Sequence, residues 1–268
     1  MRFETEAARW LGTDYPIIQG PFGGGLSTTQ LAATVSNRGG LGSYGAQMLS
    51  GEEIGEVTRE IASLTSNPFA MNLWVSDHDP GGLELSQVDF ERVLSILEPY
   101  FVELGVAPLQ HFDQVHHSFE DQVEALLEAR PPVFSFVFGV PSDKVLAECR
   151  RQGIITIGGA TTIAEAELLD AAGVDLILAT GLEAGGHRPS FLAPAEESLY
   201  GTLALTRIVA GRVKAPIVAA GGIADGGGVR AILALGAQAA QVGTAFLACE
   251  ESGTSDLHCS ATIAVRPC

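Results

Sequence analysis

Short continuous runs of apolar residues recur along this chain, and each is followed by a longer stretch in which apolar positions have a helical spacing. A run without polar alternation is typical of a strand that is buried on both faces, as in a parallel sheet. The predicted strands occupy residues 16–25 with their glycine-rich turn, 41–46, 69–75, 133–139, 154–160, 175–181, 215–222 and 237–247. The predicted helices occupy residues 27–39, 50–66, 89–105, 119–130, 141–153, 161–173, 196–213 and 223–236.

Eight strands that alternate with helices, strictly so from Pro132 onward, predict an all-parallel sheet that closes into a (β/α)8 TIM barrel. No linker or composition shift divides the chain, so we expect residues 1–268 to form one domain, with an irregular excursion at about 76–130 and a short atypical tail at about 250–268. An open, doubly wound sheet is the alternative. The absence of a GxGxxG motif after the first strand favours the barrel.

Composition and charge narrow the classes of partner. With 15 lysines and arginines against 32 acidic residues, the net charge of −17 argues against a nucleic-acid surface. The first residues lack the apolar core of a secretory signal, and no apolar run is long enough to predict a membrane span. Four cysteines without metal-site spacing predict reduced thiols in a cytoplasmic protein that binds no metal.

The active site of such a barrel lies at the carboxyl ends of its strands, and phosphate commonly binds in the loops after strands seven and eight. Here those loops carry Gly221 and Gly222, then Gly243 and Thr244. Their backbone N–H groups, helped by the N-terminus of the following helix, suit a phosphate dianion. A single glycine loop is explained as well by a simple turn, but two neighbouring loops predict a phosphate-bearing ligand or cofactor.

Two further residues stand at predicted strand ends. Asn72 offers both a donor and an acceptor near the end of strand three, although a strand-end cap explains it equally well. His187 follows Gly185 and Gly186 after strand six, where it either carries acid–base chemistry or only hydrogen-bonds its loop. No lysine ends a strand, and no GxSxG or Walker loop is present. Redox chemistry through a bound cofactor therefore remains.

Several of these segments, taken in order, resemble the nitronate monooxygenase family, formerly called 2-nitropropane dioxygenases. They are PIIQGPFGGGLSTTQLAATVSNRGGLGS, NPFAMNLWV, ATGLEAGGHRPSF, VAAGGIADGGG and LGAQAAQVGTAFL, which run from about Tyr15 to Glu251. EAGGHR together with QVGTAF is specific to the resemblance, whereas a GGHR turn alone is not. The resemblance implies an FMN-dependent TIM barrel that oxidises alkyl nitronates with O2 to carbonyl compounds and nitrite.

Motif positions carry the expected site over to this chain. The resemblance implies that His187 is the catalytic base or the group that stabilises the substrate anion. Thr180 stands where many members of the family have glutamine, and its shorter side chain leaves one flavin hydrogen bond to water. The residues that the resemblance places at FMN are Asn72, Thr180, Gly185, Gly222, Gln241, Val242, Gly243 and Thr244.

The end of the chain differs from the family pattern. Members usually continue beyond strand eight with a segment that returns over the barrel, whereas this sequence stops soon after it, without an eighth helix of normal length. We therefore expect a C-terminally shortened barrel whose apolar surface beside strands one and eight is covered by a partner subunit in a homo-oligomer. The tail with His258, Cys259 and Cys268 is expected to be disordered rather than a metal site.

Two other functions stay open at this point. One is an FMN-dependent NAD(P)H reductase of a quinone or an enoyl thioester, because related barrels share the GGH turn and the FMN loops. The other is a catalytically impaired barrel that binds FMN without turnover. The GGHRPSF sequence favours the monooxygenase pattern over the reductases.

Overall fold

A computed structural model of the protein describes residues 5–75, 87–108 and 117–264, and it contains eight parallel strands. The strands are β1 (Ile17–Gln19), β2 (Gly42–Gly45), β3 (Phe69–Trp74), β4 (Val133–Val137), β5 (Ile155–Ala160), β6 (Leu176–Thr180), β7 (Ile217–Ala220) and β8 (Ala239–Val242). Each pairs with its neighbours in the order β1-β8-β7-β6-β5-β4-β3-β2. The predicted (β/α)8 barrel is confirmed.

The two ends of this order meet, which closes the sheet. Ile18 of β1 bridges Leu41, directly before β2, in parallel register. The N–H of Gln19 donates to the Leu41 carbonyl at 2.9 Å, and the N–H of Leu41 donates to the Ile17 carbonyl at 2.9 Å. Because all these pairings are parallel, all eight carboxyl ends lie on one rim of the closed barrel.

Helices follow the strands on the outside of the barrel. They are α1 (Glu6–Leu11), α2 (Thr29–Asn37), α3 (Gly51–Leu64), α4 (Gln87–Leu104), α5 (Phe119–Ala129), α6 (Asp143–Gln152), α7 (Ile163–Ala171), α8 (Thr202–Val209), α9 (Gly226–Ala234), α10 (Thr244–Leu247) and α11 (Asp256–Ala264). Several start at a side-chain cap: Thr28 accepts from the N–H of Leu31, and Ser50 forms a reciprocal capping box with Glu53.

Side chains inside and outside the barrel alternate along each strand. In β6, Leu176 and Leu178 belong to the cluster that fills the barrel, whereas Ile177 and Ala179 pack in the layer between strands and helices. Ala7 and Leu11 of α1 join the inner cluster, so α1 covers the amino-terminal end of the barrel. That end is therefore closed by packing, which leaves the opposite rim for a ligand.

Four local expectations need correction. The predicted strand over 237–247 ends at Val242, because residues 244–247 turn into α10. The predicted helix over 196–213 is a 3-10 turn, Ala195–Glu197, followed by the shorter α8. Helix α1, which has six residues, is not among the predicted elements. The tail was expected to be disordered, but residues 256–264 form α11.

The chain before α11 is attached to the loop after β1. The hydroxyl of Thr28 donates to the Glu251 carbonyl at 2.5 Å, and the N–H of Gly253 donates to the Leu26 carbonyl at 3.1 Å. These long-range bonds explain why sequence reasoning missed the order of this part of the tail. Residues 265–268, with Cys268, lie outside the described residues.

Exposed large apolar side chains concentrate on α4, while β1 and β8 are mostly buried. On α4 and just after it they are Val88, Val93, Ile96, Leu97, Tyr100, Val102, Leu104 and Val106. The partner subunit that we expected beside strands one and eight stays a prediction. No helix within the described ranges is long and apolar enough to cross a membrane.

The contact between α2 and β2 predicts the effect of one substitution. A Cβ on Gly42 would come within 1.9 Å of the Ala32 carbonyl oxygen, and this backbone cannot move without shifting α2. We expect Gly42→Ala to lower the free energy of unfolding by about 3 kcal/mol, the upper end for overpacking. Gly55→Ala, in α3 with open space around it, should raise it by up to about 1 kcal/mol. Urea unfolding measures both, and equal midpoints would contradict this packing.

Candidate active site

A layer of polar side chains lies at the carboxyl end of the barrel interior. By the alternation along their strands, Asn72, Ser135, Thr180 and Gln241 share the inward face. The side-chain amide of Asn72 is buried and donates to the Ser135 hydroxyl at 3.0 Å. The Thr180 hydroxyl is buried and has no hydrogen-bond partner within the described part of the chain. A buried hydroxyl without a partner is costly, so this position suits a ligand that supplies one.

Glycines above this layer leave the backbone open. Gly185 and Gly186 are exposed, and a Cβ on Gly185 would have Thr244 Oγ1, at 3.8 Å, as its nearest neighbour. The loops after β6 and β8 therefore approach each other at the rim. Gly222, after β7, has φ of 65°, which a glycine adopts at little cost. These loops leave space for a flat or phosphorylated group.

The N-terminus of α9 differs from the expected anion site. Asp225 caps this helix, and its carboxylate accepts from the N–H of Gly228 at 2.8 Å. A negative charge already stands where the helix dipole would favour a phosphate. A phosphate site at this rim would therefore depend on the loop glycines and Thr244 rather than on the end of α9.

His187 is exposed on the loop after β6, and its imidazole contacts two aromatic rings. The ring centroids of His187 and Trp74 are 4.7 Å apart, and those of His187 and Phe138 are 6.2 Å apart, both edge to face. Trp74 and Phe138 contact each other at 4.9 Å. Because Trp74 ends β3 and Phe138 follows β4, the His187 loop reaches across the end of β5 to meet them.

Phe138 has an unusual backbone conformation. Its φ of 65° lies in the left-handed region, which costs a non-glycine residue about 1–2 kcal/mol. Such strain persists where surrounding structure enforces it, often at functional sites. Here it accompanies the position of the Phe138 ring against both Trp74 and His187.

Arg188, the residue after the histidine, anchors the loop to three separate segments. Its guanidinium donates to the carbonyls of Thr180 at 2.6 Å and Thr161 at 3.3 Å, and also to the Ser198 carbonyl. Its Nε donates to the Ser198 hydroxyl at 3.1 Å. Desolvation lowers the pKa of Arg188, partly offset by the carboxylates of Glu165 and Glu183. Four hydrogen bonds thus fix the backbone directly beside His187.

Glu165 of α7 holds the same loop a few residues later. Its carboxylate is fully buried and accepts from the N–H groups of Phe191 at 2.7 Å and Leu192 at 3.1 Å. The other oxygen accepts from the N–H and hydroxyl of Thr161, each at 2.7 Å, and from the N–H of Thr162 at 3.1 Å. A carboxylate with five donors is well compensated for its burial.

Glu183 connects the start of the loop to α8. Its carboxylate accepts from the N–H of Thr202 at 2.8 Å and from the Thr202 hydroxyl at 2.7 Å. Desolvation opposes ionisation, but the Thr202 side chain, backbone donors and Arg188 outweigh it and lower the pKa of Glu183. The loop from residue 182 to 192 is therefore held at its start, middle and end.

This arrangement places the His187 imidazole at the rim of the barrel, and within the described residues no carboxylate is hydrogen-bonded to it. Within the described residues no group of three or more histidine, cysteine or acidic side chains could hold a metal ion. The geometry suits proton transfer or anion binding at His187 next to a ligand held by backbone groups.

Comparison with known proteins decides the family. A model of the nitronate monooxygenase family matches residues 5–265. This chain belongs to the nitronate monooxygenase family. The resemblance predicted from the motifs is confirmed, and the chain is an enzyme of the oxidoreductase class.

Individual relatives agree with this assignment. The chain is 44% identical to a nitronate monooxygenase of Pseudomonas aeruginosa, over 92% of this chain and 70% of that protein. It superposes on a nitroalkane oxidase from Streptomyces ansochromogenes with a TM-score of 0.85 and 36% identity, covering 95% of this chain and 72% of that one. FabK from Thermotoga maritima is less similar, with a TM-score of 0.73 and 28% identity, covering 96% of this chain and 67% of that one.

The structure brings the predicted site residues to one rim. Residues from the loops after β6, β7 and β8 lie there with Asn72 and His187, and Val242 and Gln241 lie in β8 just below. The side chain of Val242 is buried between β8 and the surrounding helices. Its carbonyl accepts a hydrogen bond from the N–H of Gly20 at 2.8 Å. The roles of these residues in binding a cofactor or substrate stay predictions.

Sequence reasoning missed the residues that hold the histidine. They are Trp74, Phe138, Glu165, Glu183, Arg188 and Thr202. Two local signals were available: Arg188 directly follows the histidine, and Thr162 with Glu165 has the spacing of a capping box. The long-range contacts of Trp74 and Phe138 had no such signal.

The anchoring by Arg188 predicts a specific loss of stability. Arg188→Ala removes four hydrogen bonds from a partly buried cation, and we expect it to lower the free energy of unfolding by about 2–4 kcal/mol. The control is Arg212→Ala, whose exposed ion pair with Glu167 measures 3.5 Å and should contribute at most about 0.5 kcal/mol. Equal losses in urea unfolding would contradict the anchoring role, as would unchanged hydrogen exchange over residues 182–192 in Arg188→Ala.

The lowered pKa of Glu183 predicts a pH dependence. Ionised Glu183 stabilises the fold fully above the pKa of an unfolded glutamate, about 4.3, and this contribution is lost as the pH falls through the lower folded pKa. We expect Glu183→Gln to have a lower Tm than the wild type at pH 7 and a smaller difference below about pH 4. Glu56→Gln, on the exposed face of α3, is the control. A Tm difference for Glu183→Gln that stays constant from pH 7 to 3 would be inconsistent with this assignment.

Proposed function

We propose that this member of the nitronate monooxygenase family uses FMN and O2 to oxidise alkyl nitronates, and nitroalkanes after loss of a proton, to carbonyl compounds and nitrite. The observation that carries the proposal is the exposed imidazole of His187 at the rim of the barrel. Hydrogen bonds from partly buried Arg188 and to buried Glu165 hold its loop there. The identity with nitronate monooxygenases and the structural similarity to a nitroalkane oxidase support it.

The residues at the rim fit a flavin mononucleotide. Within the described residues the buried Thr180 hydroxyl lacks a hydrogen-bond partner, which a polar edge of a flavin ring would supply. Gly185 and Gly186 carry no side chain, and a Cβ on Gly186 would meet nothing within 4 Å. Asn72 and Gln241 would lie on the ring side of the site, whereas the side chain of Val242, also implied by the resemblance, packs on the outer side of β8. Gly222, Gly243 and Thr244 would hold the phosphate through their backbone N–H groups.

When bound, FMN would accept electrons from the nitronate and pass them to O2. The protein supplies position and proton chemistry. One imidazole nitrogen of His187 would take the proton from the carbon that bears the nitro group, which leaves a nitronate anion and an imidazolium. The imidazolium then holds that anion at the rim. Trp74 and Phe138 keep the imidazole ring in place through their edge-to-face contacts.

The FMN-dependent NAD(P)H reductase is the second candidate, because related barrels share the turn formed by Gly185, Gly186 and His187. The test mixes the FMN-loaded protein anaerobically with propyl nitronate and, separately, with NADH or NADPH. Loss of the visible flavin absorbance with the nitronate, reversed by air with release of nitrite, is the expected result. Loss of absorbance only with the nicotinamide would favour the reductase, and no loss with either would indicate an impaired barrel.

Replacement of the histidine separates its two roles. We expect His187→Ala to lower the rate of oxidation of a neutral nitroalkane by about two to four orders of magnitude, because no base remains to take the proton. The pre-formed nitronate needs no proton removal, so its rate should fall less. Steady-state kinetics with both forms of one nitroalkane measure the difference. Equal rates with the neutral nitroalkane in wild type and variant would remove His187 from catalysis.

A further inference from the structure

Three aromatic rings form a continuous patch at one side of the rim. Trp74, Phe138 and His187 contact one another pairwise, with ring centroids 4.7 to 6.2 Å apart. We define Trp74 and Phe138 as the aromatic wall. Both side chains are only partly buried, so they offer apolar surface at the rim. The loops after β6, β7 and β8 differ from it, because they carry Gly185, Gly186, Gly222, Gly243 and Thr244.

This division of the rim has a consequence for the substrate. An alkyl nitronate has a planar anionic head and an apolar chain. Its head must reach His187 if the histidine takes a proton or binds the anion. The rings of the aromatic wall present apolar surface that directly contacts the imidazole. A chain attached to a head at His187 is therefore removed from water where it lies against Trp74 and Phe138.

Resting on the proposed function, we propose that the aromatic wall binds the alkyl chain of the substrate and that Trp74 determines a preference for longer unbranched nitronates. Each methylene taken from water against the wall should raise kcat/KM by about three- to fourfold until the wall is covered. A wall of rings offers no positive charge to a second anionic group, so the preferred chain is purely apolar.

Kinetics with a chain-length series test this proposal. Ethyl, propyl, butyl and pentyl nitronates are compared in wild type, Trp74→Ala and Trp74→Phe. The expected gain of three- to fourfold for each methylene in the wild type falls to less than about twofold in Trp74→Ala, and Trp74→Phe keeps most of it. Activity that does not depend on chain length in the wild type would overturn the proposal, as would an unchanged gain in Trp74→Ala.

The matched control is the other tryptophan. The chain has two, and Trp10 lies partly exposed on α1 at the opposite end of the barrel. Trp10→Phe should keep the chain-length dependence of the wild type. It also leaves Trp74 as the single tryptophan, so its fluorescence reports directly on the wall in a protein with an intact site.

A binding measurement with this Trp10→Phe variant does not require turnover. Unbranched alkanoates have a planar anionic head like that of a nitronate, and they are titrated into the FMN-saturated protein while Trp74 emission is recorded. We expect Kd to fall about three- to fourfold for each methylene from propionate to hexanoate. If the protein oxidises nitronates but binds propionate to hexanoate with the same Kd, the proposal for the aromatic wall is overturned and the proposed function is not. Chain-length-dependent binding without any nitronate turnover would overturn the proposed function and leave the ligand class of the wall supported.

Discussion

The hydrogen bonds that the charged side chains of Glu165 and Arg188 form with backbone groups are the constraint on which the candidate site depends. Their side chains bind backbone groups from the ends of β5 and β6, from the 3-10 turn and from the loop that carries His187. The Glu165 carboxylate is buried and the Arg188 guanidinium is partly buried, so several hydrogen bonds compensate for their reduced contact with water. The backbone beside His187 is thereby held by contacts with α7, with the ends of β5 and β6 and with the 3-10 turn.

The barrel provides the other groups of the candidate site, because side chains along its strands point alternately inward and outward and its two ends differ. Apolar side chains and α1 fill the amino-terminal end, while polar side chains such as Asn72 and Thr180 occupy the inward positions near the other rim. A ligand at that rim would meet hydroxyl and amide groups below it, glycine backbone on one side and the rings of Trp74 and Phe138 on the other.

Much of this could be predicted from residues that are close in sequence. Apolar runs identified every strand, because that signal is local, and the glycine loops with His187 indicated a candidate site at the carboxyl ends of the strands. The contacts of His187 with Trp74 and Phe138 could not be predicted, since they join the end of β3, the residue after β4 and the loop after β6, which are brought together by the pairing of β3, β4, β5 and β6. The order of residues 250–264 was missed for a similar reason: their contacts with the loop after β1 span more than two hundred residues.

The central claim is that one rim holds a flavin phosphate on its glycine loops and presents His187 to the flavin ring. A crystal structure of the protein saturated with FMN tests it most directly. The account predicts phosphate density at the backbone of Gly222, Gly243 and Thr244, with the ring beside Thr180 and His187. Phosphate bound at another part of the barrel, or a ring that lies away from His187, would contradict it.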